Sequence, residues 1–193
     1  MTTLRLEDFT ACGAHQKGHF LLSSGLHSGD YMQCALFLAH PRRAETAGSL
    51  LASALEGSGL VPDVVVGPAM GGLIIGHEVA RALDRPFIFT ERINGRMTLR
   101  RGFGLAVDQT VVIIEDVVTT GKSTREVMTV LEEFGARVIG VGSIVNRTGT
   151  PTPFDSTPYH ALLDADFPTW QPEDCPRCAE GIPIAKPGSR PVV

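Results

Sequence analysis

The sequence predicts an α/β fold in which helices flank a mainly parallel central sheet. Three segments rich in β-branched residues, at 64–66, 111–114 and 138–145, are typical of buried parallel strands. Helical segments at 73–83 and 123–134 follow the first two of these strands. Strands that alternate with helices form parallel sheets, and such sheets bind ligands where their strands end. We therefore expect functional residues directly after these strands.

Local patterns predict the remaining elements. Pro41 suits a helix start, and the apolar spacing after it predicts a helix as far as Glu56. Asn94 and Gly95 form a turn dipeptide inside the polar segment 91–110. The other expected elements are a short helix ending near Gly13, strands at 20–22, 31–36 and 86–90, and a strand at 159–163 within an irregular tail from 148.

Composition narrows the classes of function. The chain has 193 residues, of which 43% are hydrophobic and 20% are charged, an ordinary balance for a single globular domain. The net charge of −4 argues against binding nucleic acid through bulk charge. No apolar run reaches the roughly 18 residues of a membrane helix, and the first residues do not resemble a signal peptide. Since four cysteines make no disulfide framework in a chain of this size, we expect a cytoplasmic protein without a membrane partner.

The densest chemistry lies between Val111 and Ser123. Two adjacent carboxylates, Glu115 and Asp116, end a buried strand, and a turn rich in hydroxyl groups and glycine leads into a helix. Backbone N–H groups at a helix N-terminus attract anions, and Lys122 adds positive charge. The spacing of a Walker phosphate loop is absent. A plain strand–turn–helix connection is the alternative interpretation.

This segment resembles the motif of the type I phosphoribosyltransferases, in which two acidic residues between apolar pairs precede a phosphate loop. The resemblance implies that Glu115 and Asp116 contact the ribose hydroxyls of phosphoribosyl pyrophosphate (PRPP) and take part in catalysis. It implies a Mg²⁺ cofactor held by PRPP, with no direct ligand from the protein and with these two carboxylates nearby. The loop residues that it implies as PRPP contacts are Val117, Val118, Thr119, Thr120, Gly121, Lys122 and Ser123.

Other segments resemble the orotate phosphoribosyltransferases in particular, and together they span most of the chain. Residues 20–33 resemble the hood segment that covers the base, and residues 175–190 resemble the tail of one bacterial branch. The resemblance implies one domain, 1–193, whose core spans about 41–149. The hood is then expected from about 1–40 and 150–193.

The same resemblance implies further ligand contacts. The loop from Gly67 to Gly72 resembles a pyrophosphate loop, in which the family often has a cis peptide bond that is not at proline. The implied PRPP contacts there are Ala69, Met70 and Gly71. Arg147 follows a strand where the family has an orotate-binding arginine, and a guanidinium can hold a carboxylate through two hydrogen bonds. The other implied orotate contacts are Thr119, Ser24, Gly25 and Tyr31.

Residues 91–104 match the family's mobile catalytic loop by position. The resemblance implies PRPP contacts from Arg92 and Arg96, catalysis by Arg92, and a homodimer in which this loop reaches the neighbouring subunit's site. Arg100 and Arg101 would add to a clamp on pyrophosphate, and closure would exclude water. A solvated basic loop is the alternative interpretation.

Three departures from the family pattern concern cations near PRPP. The loop 91–104 contains neither lysine nor histidine. Ser23 precedes Ser24 where a lysine or arginine is common, and Gly71 stands where a lysine is common. The identity of a general acid therefore stays open.

The resemblance implies Mg²⁺-dependent transfer of ribose 5-phosphate from PRPP to orotate, giving orotidine 5′-monophosphate and pyrophosphate, in pyrimidine biosynthesis. One alternative is a purine-type phosphoribosyltransferase, which would lack the hood and the surroundings of Arg147. The other is a PRPP-binding regulator without catalysis, which would need a basic face for nucleic acid.

The histidines and the last two cysteines have a structural interpretation. His19, His27 and His40 are interpreted as structural, since a lone histidine is rarely catalytic. For His27, which lies in the hood segment, contact with orotate is the alternative interpretation. Cys175 and Cys178 form one C-x-x-C pair, but a structural zinc site needs a second pair of ligands. We therefore interpret the pair as a turn with free thiols.

Overall fold

The computed structural model describes residues 3–22 and 24–187. The strands are β1 (His15–Leu21), β2 (His27–Met32), β3 (Val64–Pro68), β4 (Phe87–Ile93), β5 (Arg96–Leu99), β6 (Thr110–Val118), β7 (Arg137–Asn146), β8 (Tyr159–Asp164) and β9 (Thr169–Trp170). The helices are α1 (Leu6–Thr10), α2 (Cys34–Leu38), α3 (Pro41–Gly57), α4 (Gly72–Leu83), α5 (Lys122–Glu133) and α6 (Pro176–Ala179), with a 3₁₀ turn at Pro172–Asp174.

The larger sheet has six strands in the order β5-β4-β3-β6-β7-β8. All neighbouring pairs are parallel except β4 and β5, which are antiparallel. Side chains alternate across β6, so that Val112 and Ile114 face one apolar cluster while Val111 and Ile113 face another. Helices α1 to α4 pack on the first face, and α5 packs on the second. The predicted α/β fold with a mainly parallel sheet is confirmed.

The main strands and helices agree with the predictions, and two segments differ. The strand expected at 31–36 is wrong beyond Met32, because residues 34–38 form α2. Cys34, Phe37 and Leu38 are buried at a spacing of three and four residues, which suits one face of a helix.

The polar segment after 91 is also more regular than expected. Strands β4 and β5 form a hairpin whose turn is Asn94–Gly95, where both residues have positive φ values of 50° and 82°. Such φ values at both central positions match the right-handed twist of the paired strands, which explains why this dipeptide favours hairpins.

Some segments of the predicted hood pack with the larger sheet. Strand β8, predicted at 159–163, pairs in parallel with β7 and belongs to the larger sheet. Leu162 and Leu163 pack against the main core, as do residues of α1 and α2. Residues 188–193 of the predicted hood and tail, and the departure noted at Ser23, lie outside the described residues.

The smaller sheet consists of β1, β2 and β9, all antiparallel. The tail also binds β1: the N–H of Leu21 donates to the carbonyl of Ala185 at 2.8 Å, and the N–H of Ala185 donates to the carbonyl of His19 at 2.8 Å. The chain segment after β8 thus closes both sides of the β1–β2 hairpin. Within the described residues, every helix is too short or too polar to cross a membrane.

Candidate active site

A cleft of about 250 Å³ opens at the edge of the larger sheet where β3 and β6 end. Every predicted PRPP contact except Met70 and Arg96 lies in its wall. The Met70 side chain is 80% exposed, and Arg96 is exposed on the β4–β5 hairpin. The strand ends therefore bring together the acidic pair, the loop before α5 and the loop before α4.

The carboxylates of Glu115 and Asp116 are largely buried. The hydroxyl of Thr124 donates to Oε1 of Glu115 at 3.3 Å. Burial, together with the neighbouring Asp116 carboxylate, raises the pKa of Glu115 to about 8. Burial also raises the pKa of Asp116, although the N–H of Val117, which donates to its Oδ1 at 2.8 Å, lowers it in part. A pair that holds one proton and one negative charge therefore has a lower free energy than a pair with two adjacent buried charges.

The loop before α5 is shaped to receive an anion. Gly121 has a φ of 71° and precedes α5 as an N-cap without a side chain, while the N–H of Lys122 donates to the Thr120 hydroxyl at 3.3 Å. The other N–H groups of the first turn are therefore not capped by a side chain of the N-cap residue and can bind an anion. A Cβ at Gly121 would lie 2.8 Å from the Phe154 ring, which leaves room only for glycine. Lys122 and Ser123 extend the same wall.

Arg125 holds this loop in place from behind. Its guanidinium donates to the carbonyl of Thr120 at 2.7 Å and to the carbonyl of Pro153 at 2.6 Å. It also lies over the Phe154 ring, 5.5 Å from the centroid. Because three contacts fix one planar group, the loop has a defined shape before any ligand binds.

The loop before α4 approaches the acidic pair closely. The peptide bond between Ala69 and Met70 is cis, as the resemblance implies. A Cβ at Gly71 would collide with the Asp116 carboxylate, and a Cβ at Gly72 would lie 2.6 Å from the carbonyl oxygen of Ile114. A lysine at position 71 would therefore not fit, which gives a physical reason for the glycine that departs from the family pattern.

Arg92 lies in the wall of this chain's own cleft. Its guanidinium forms an ion pair with Glu126 of α5 and donates to the carbonyl of Gly95 at 2.7 Å. Arg101 is paired with Glu91 at 3.1 Å and lies 5.6 Å from the centroid of an aromatic ring, Phe89. Within this chain Arg92 and Arg101 thus have carboxylate partners, and of these two only Arg92 lies in the cleft wall.

Arg147 follows β7 and lies beside the cleft rather than in its wall. Its Nε is buried and has no hydrogen-bond partner among the described residues, while its guanidinium stacks 4.8 Å above the Phe167 ring. Burial lowers the pKa of Arg147, although Asp30 and Tyr31 raise it in part. Burial and the Asp116 carboxylate raise the pKa of Tyr31, and Arg147 lowers it in part, so these three side chains lie within electrostatic reach of one another.

Only some of the other predicted orotate contacts lie near the cleft. Thr119 lies in the cleft wall, exposed to its interior. Ser24 and Gly25 are exposed in the turn between β1 and β2 and do not line the cleft. The structure thus brings together Thr119, Tyr31, Arg147 and the acidic pair, and leaves that turn apart from them.

Sequence reasoning missed several residues that shape this site. Thr124 donates to Glu115, Arg125 supports the loop before α5, and Met97 of β5 adds an apolar side chain to the cleft wall. Thr124 could have been found, since it directly follows the predicted loop at the first turn of the helix. No local pattern indicates that Met97 folds back through the hairpin.

The chain is similar to known phosphoribosyltransferases. The phosphoribosyl transferase domain family matches residues 36–173. An orotate phosphoribosyltransferase of Carboxydothermus hydrogenoformans is 49% identical over 90% of this chain and 91% of its own length. One from Thermotoga maritima is 48% identical over 92% of this chain and 94% of its own length.

Solved structures share the fold at lower identity. An orotate phosphoribosyltransferase from Aeropyrum pernix is 24% identical, with a TM-score of 0.66 over 82% of this chain and 92% of that chain. An adenine phosphoribosyltransferase from Thermoanaerobacter pseudethanolicus is 18% identical, with a TM-score of 0.60 over 70% of this chain and 88% of that chain. The close relatives and the family match show that this chain belongs to the type I phosphoribosyltransferase family, among the orotate phosphoribosyltransferases.

Proposed function

We propose that the chain transfers the ribose 5-phosphate group from PRPP to orotate, giving orotidine 5′-monophosphate and pyrophosphate. The observation that carries this proposal is the cleft in which an uncapped helix N-terminus, two adjacent carboxylates and a close-packed glycine loop face one another. These three groups suit the three parts of PRPP, namely a phosphate, a ribose and a diphosphate. Relatives that are 48–49% identical carry the name of this activity.

Each part of PRPP has a partner of matching chemistry. The N–H groups of residues 121–123 and the ammonium of Lys122 receive the 5′-phosphate. Glu115 and Asp116 bind the ribose hydroxyls, and a protonated Glu115 can donate as well as accept. The backbone of the loop 69–71 and the Arg92 guanidinium receive the diphosphate.

Orotate enters between Arg147 and the cleft. A carboxylate bound to Arg147 would satisfy its buried Nε, which has no partner among the described residues. Phe167 holds the guanidinium plane, and the hydroxyl groups of Tyr31 and Thr119 are available for the polar edge of the base. A purine has no carboxylate to take this position, so the proposal favours orotate over purine bases.

The oxygen donors of the site fit Mg²⁺, because carboxylates are ligands that it accepts. Two adjacent carboxylates do not supply octahedral coordination, so we propose that PRPP holds the ion through its diphosphate, with Glu115 and Asp116 close to it. When bound, Mg²⁺ neutralises part of the charge on the leaving pyrophosphate. The residues that would support it are the same pair that binds the ribose.

The chain's own groups then act by position and charge. The C1–O bond of PRPP to pyrophosphate breaks while a bond from orotate N1 to C1 forms, and positive charge develops on the ribose ring. Orotate N1 gives up its proton in this step, and an oxygen of the departing pyrophosphate accepts it. The Asp116 carboxylate stabilises that charge, and Arg92 stabilises the negative leaving group. Holding both substrates in one orientation supplies much of the remaining acceleration.

We also propose that the active form is a cytoplasmic homodimer. Free thiols at all four cysteines suit a reducing compartment. Arg96 is exposed at the hairpin and does not reach its own chain's cleft, which leaves it available to a neighbouring subunit. Sedimentation equilibrium of the wild type and of Arg96→Ala, together with their activities, tests this assignment.

The direct test is the loss of orotate absorbance in the near ultraviolet with PRPP, Mg²⁺ and purified protein. Hypoxanthine, adenine and uracil serve as control bases. We expect turnover with orotate alone, and a fall of about 100-fold or more in kcat/KM for Asp116→Asn. Asp108→Asn, an exposed change of the same size, should keep wild-type activity.

Turnover with a purine and not with orotate would assign the site to the purine-type reaction. PRPP binding without turnover of any base would favour a PRPP-binding regulator.

A further inference from the structure

A second cluster of ligand-type side chains lies in the smaller sheet, apart from the cleft. His19 and His27 come from β1 and β2, and Cys175 and Cys178 come from the tail. One nitrogen or sulfur atom of each lies within 4.8 Å of the corresponding atoms of the other three. None of the four residues lines the cleft described above.

Four of the six distances among these atoms are close to the edges of a tetrahedron around one metal ion, and the other two are at most 4.8 Å. Nε2 of His19 lies 3.0 Å from Nδ1 of His27, 3.5 Å from Sγ of Cys175 and 3.7 Å from Sγ of Cys178. Sγ of Cys178 lies 3.4 Å from Nδ1 of His27. Zinc–ligand bonds of about 2.0 Å to nitrogen and about 2.3 Å to sulfur give tetrahedral edges of roughly 3.3–3.8 Å.

The hairpin places both histidines on one face. Leu21 pairs with His27 across the ladder, and His19 precedes Leu21 by two residues, so the three side chains point to the same side. A bulge just before Phe20 sets two residues of β1, Gly18 and His19, opposite the single residue Gly29. This bulge aims His19 at the tail.

The tail forms a tight turn around the cysteines. The N–H groups of Cys178 and Ala179 donate to the carbonyl of Cys175 at 3.1 and 3.2 Å, and α6 begins between the two thiols. Both thiols are free rather than joined in a disulfide. A turn of this kind presents two sulfurs to a point between them, as in zinc sites with a C-x₂-C spacing.

His19 is held in the tautomer that a metal requires. Its Nδ1 lies 2.7 Å from the carbonyl oxygen of Ile182, which can only accept, so Nδ1 carries the proton and donates it. The lone pair of Nε2 then points at the cluster. A backbone carbonyl that orients a histidine in this way is typical of metal-ligating histidines.

We propose that His19, His27, Cys175 and Cys178 bind a structural zinc ion. Two nitrogen and two sulfur donors in a tetrahedral arrangement favour zinc among common divalent metals. Three of the four side chains are almost fully buried, with exposures of 3% for His19, 7% for His27 and 3% for Cys175. This burial leaves little room for water to replace the metal and closes the fourth coordination position that a catalytic zinc would need.

The zinc ion joins segments that are far apart in the chain. It connects the β1–β2 hairpin to residues 175–178, more than 140 positions later. Tyr31 lies on β2, so the same ion fixes the strand that carries a residue of the base pocket. This assignment stands on the four side chains alone and does not depend on the proposed reaction.

The test begins with metal analysis of the full-length protein purified without chelators or added metal. Mass spectrometry of the metal content should find close to one zinc ion per chain, and X-ray absorption at the zinc edge should show two sulfur and two nitrogen neighbours. Cys178→Ser should retain less than about a tenth of that zinc. Cys12→Ser, which changes a cysteine outside the cluster, should retain all of it.

A second measurement uses the wild type alone and does not require that any variant folds. Protein stripped by a chelator and refilled with Co²⁺ should show the visible bands of a tetrahedral site and a thiolate-to-cobalt band in the near ultraviolet. Stripping should also lower the melting temperature by about 5 °C or more, and Zn²⁺ should restore it. Purified folded protein that neither contains zinc nor takes up Co²⁺ in a tetrahedral thiolate site would overturn the proposal, as would a disulfide between Cys175 and Cys178 in reduced preparations or full zinc content in Cys178→Ser.

Discussion

The two sheets of this protein are stabilised in different ways. In the larger sheet, the buried side chains of β3, β6 and β7 are mainly valine and isoleucine, and they join two apolar clusters. In the smaller sheet, four of the buried side chains on β1 and β2 are polar: His15, His19, His27 and Ser28 are at most 7% exposed. Phe20 is buried there but belongs to neither apolar cluster.

The difference shows what each sheet needs in order to form. Burial of apolar surface stabilises the larger sheet without directional partners. Each buried polar group of the smaller sheet instead has a specific partner: His15 contacts Asp30 at 2.8 Å, and Ser28 donates to the carbonyl of Pro168 at 3.0 Å. The larger sheet thus positions the cleft by itself, and the smaller sheet depends on the tail for its order.

The largest effect is expected from removing an apolar side chain of the larger sheet. Ile113 is fully buried in the middle of β6. Ile113→Ala should lower the free energy of unfolding by about 3–4 kcal/mol, because it removes buried methyl groups and leaves a cavity. Urea unfolding followed by circular dichroism measures the change, and the loss should be the same with and without a chelator.

Val107→Ala is the control for this prediction, since Val107 is 75% exposed and should change stability by less than about 0.5 kcal/mol. A loss below about 1 kcal/mol for Ile113→Ala would show that apolar packing does not dominate the larger sheet.

The next largest effect on the free energy of unfolding is expected from Glu115, the buried carboxylate near the end of β6 in the larger sheet. Its pKa is about 8 in the folded protein against an ordinary value of 4.5, so between these values the folded chain holds a proton that the unfolded chain has lost. Stability of the ligand-free protein should therefore fall as the pH rises through this window. Glu115→Gln should remove the part of this slope that Glu115 causes, with a gain on the order of 3 kcal/mol at the alkaline end, and leave the smaller part caused by the raised pKa of Asp116.

Urea unfolding at several pH values measures this slope. Glu133→Gln, an exposed change on α5, should leave the slope as in the wild type. Parallel pH profiles for the wild type and Glu115→Gln would contradict the assignment of the raised pKa.

The smallest effect is expected in the smaller sheet. Ser28→Ala removes a hydroxyl that donates to the carbonyl of Pro168 and accepts from the N–H of Asp30. We expect a loss of about 1 kcal/mol, seen as faster amide hydrogen exchange in β2 and β9 while β6 is unchanged. Equal acceleration in β6 would mean that the two sheets unfold as one unit. Thr46→Ala, on the exposed face of α3, should change exchange in neither sheet.

Elements could be predicted from the sequence where the local hydrophobic pattern matches the burial of the element in the fold. Runs such as Val111–Ile114 are buried on both faces, so β-branched residues repeat without interruption and predict a central strand. The acidic pair and the loop 119–123 could be placed because they directly follow such a strand. Residues close in sequence thus account for most of the cleft wall.

The parts that were missed depend on contacts between distant segments. The sequence of β5 predicts a polar loop, because β5 is an edge strand and Arg96 on it is exposed. Strand β8 was expected in the hood, since only its pairing with β7 assigns it to the larger sheet. The four proposed zinc ligands were missed because the cysteine pair contacts His19 and His27, which lie about 150 residues earlier in the chain. No local spacing indicates that contact.

The most direct measurement compares the binding of the two substrates in Arg147→Ala, because we propose that PRPP binds at the end of β6 and orotate at the end of β7. The affinity for PRPP with Mg²⁺, measured by calorimetry, should stay within about twofold of the wild type, while the KM for orotate should rise about 30- to 100-fold. Arg137→Ala, an exposed change at the opposite end of β7, should alter neither value. An unchanged KM for orotate, or a matching loss of PRPP affinity, would contradict this division of the site.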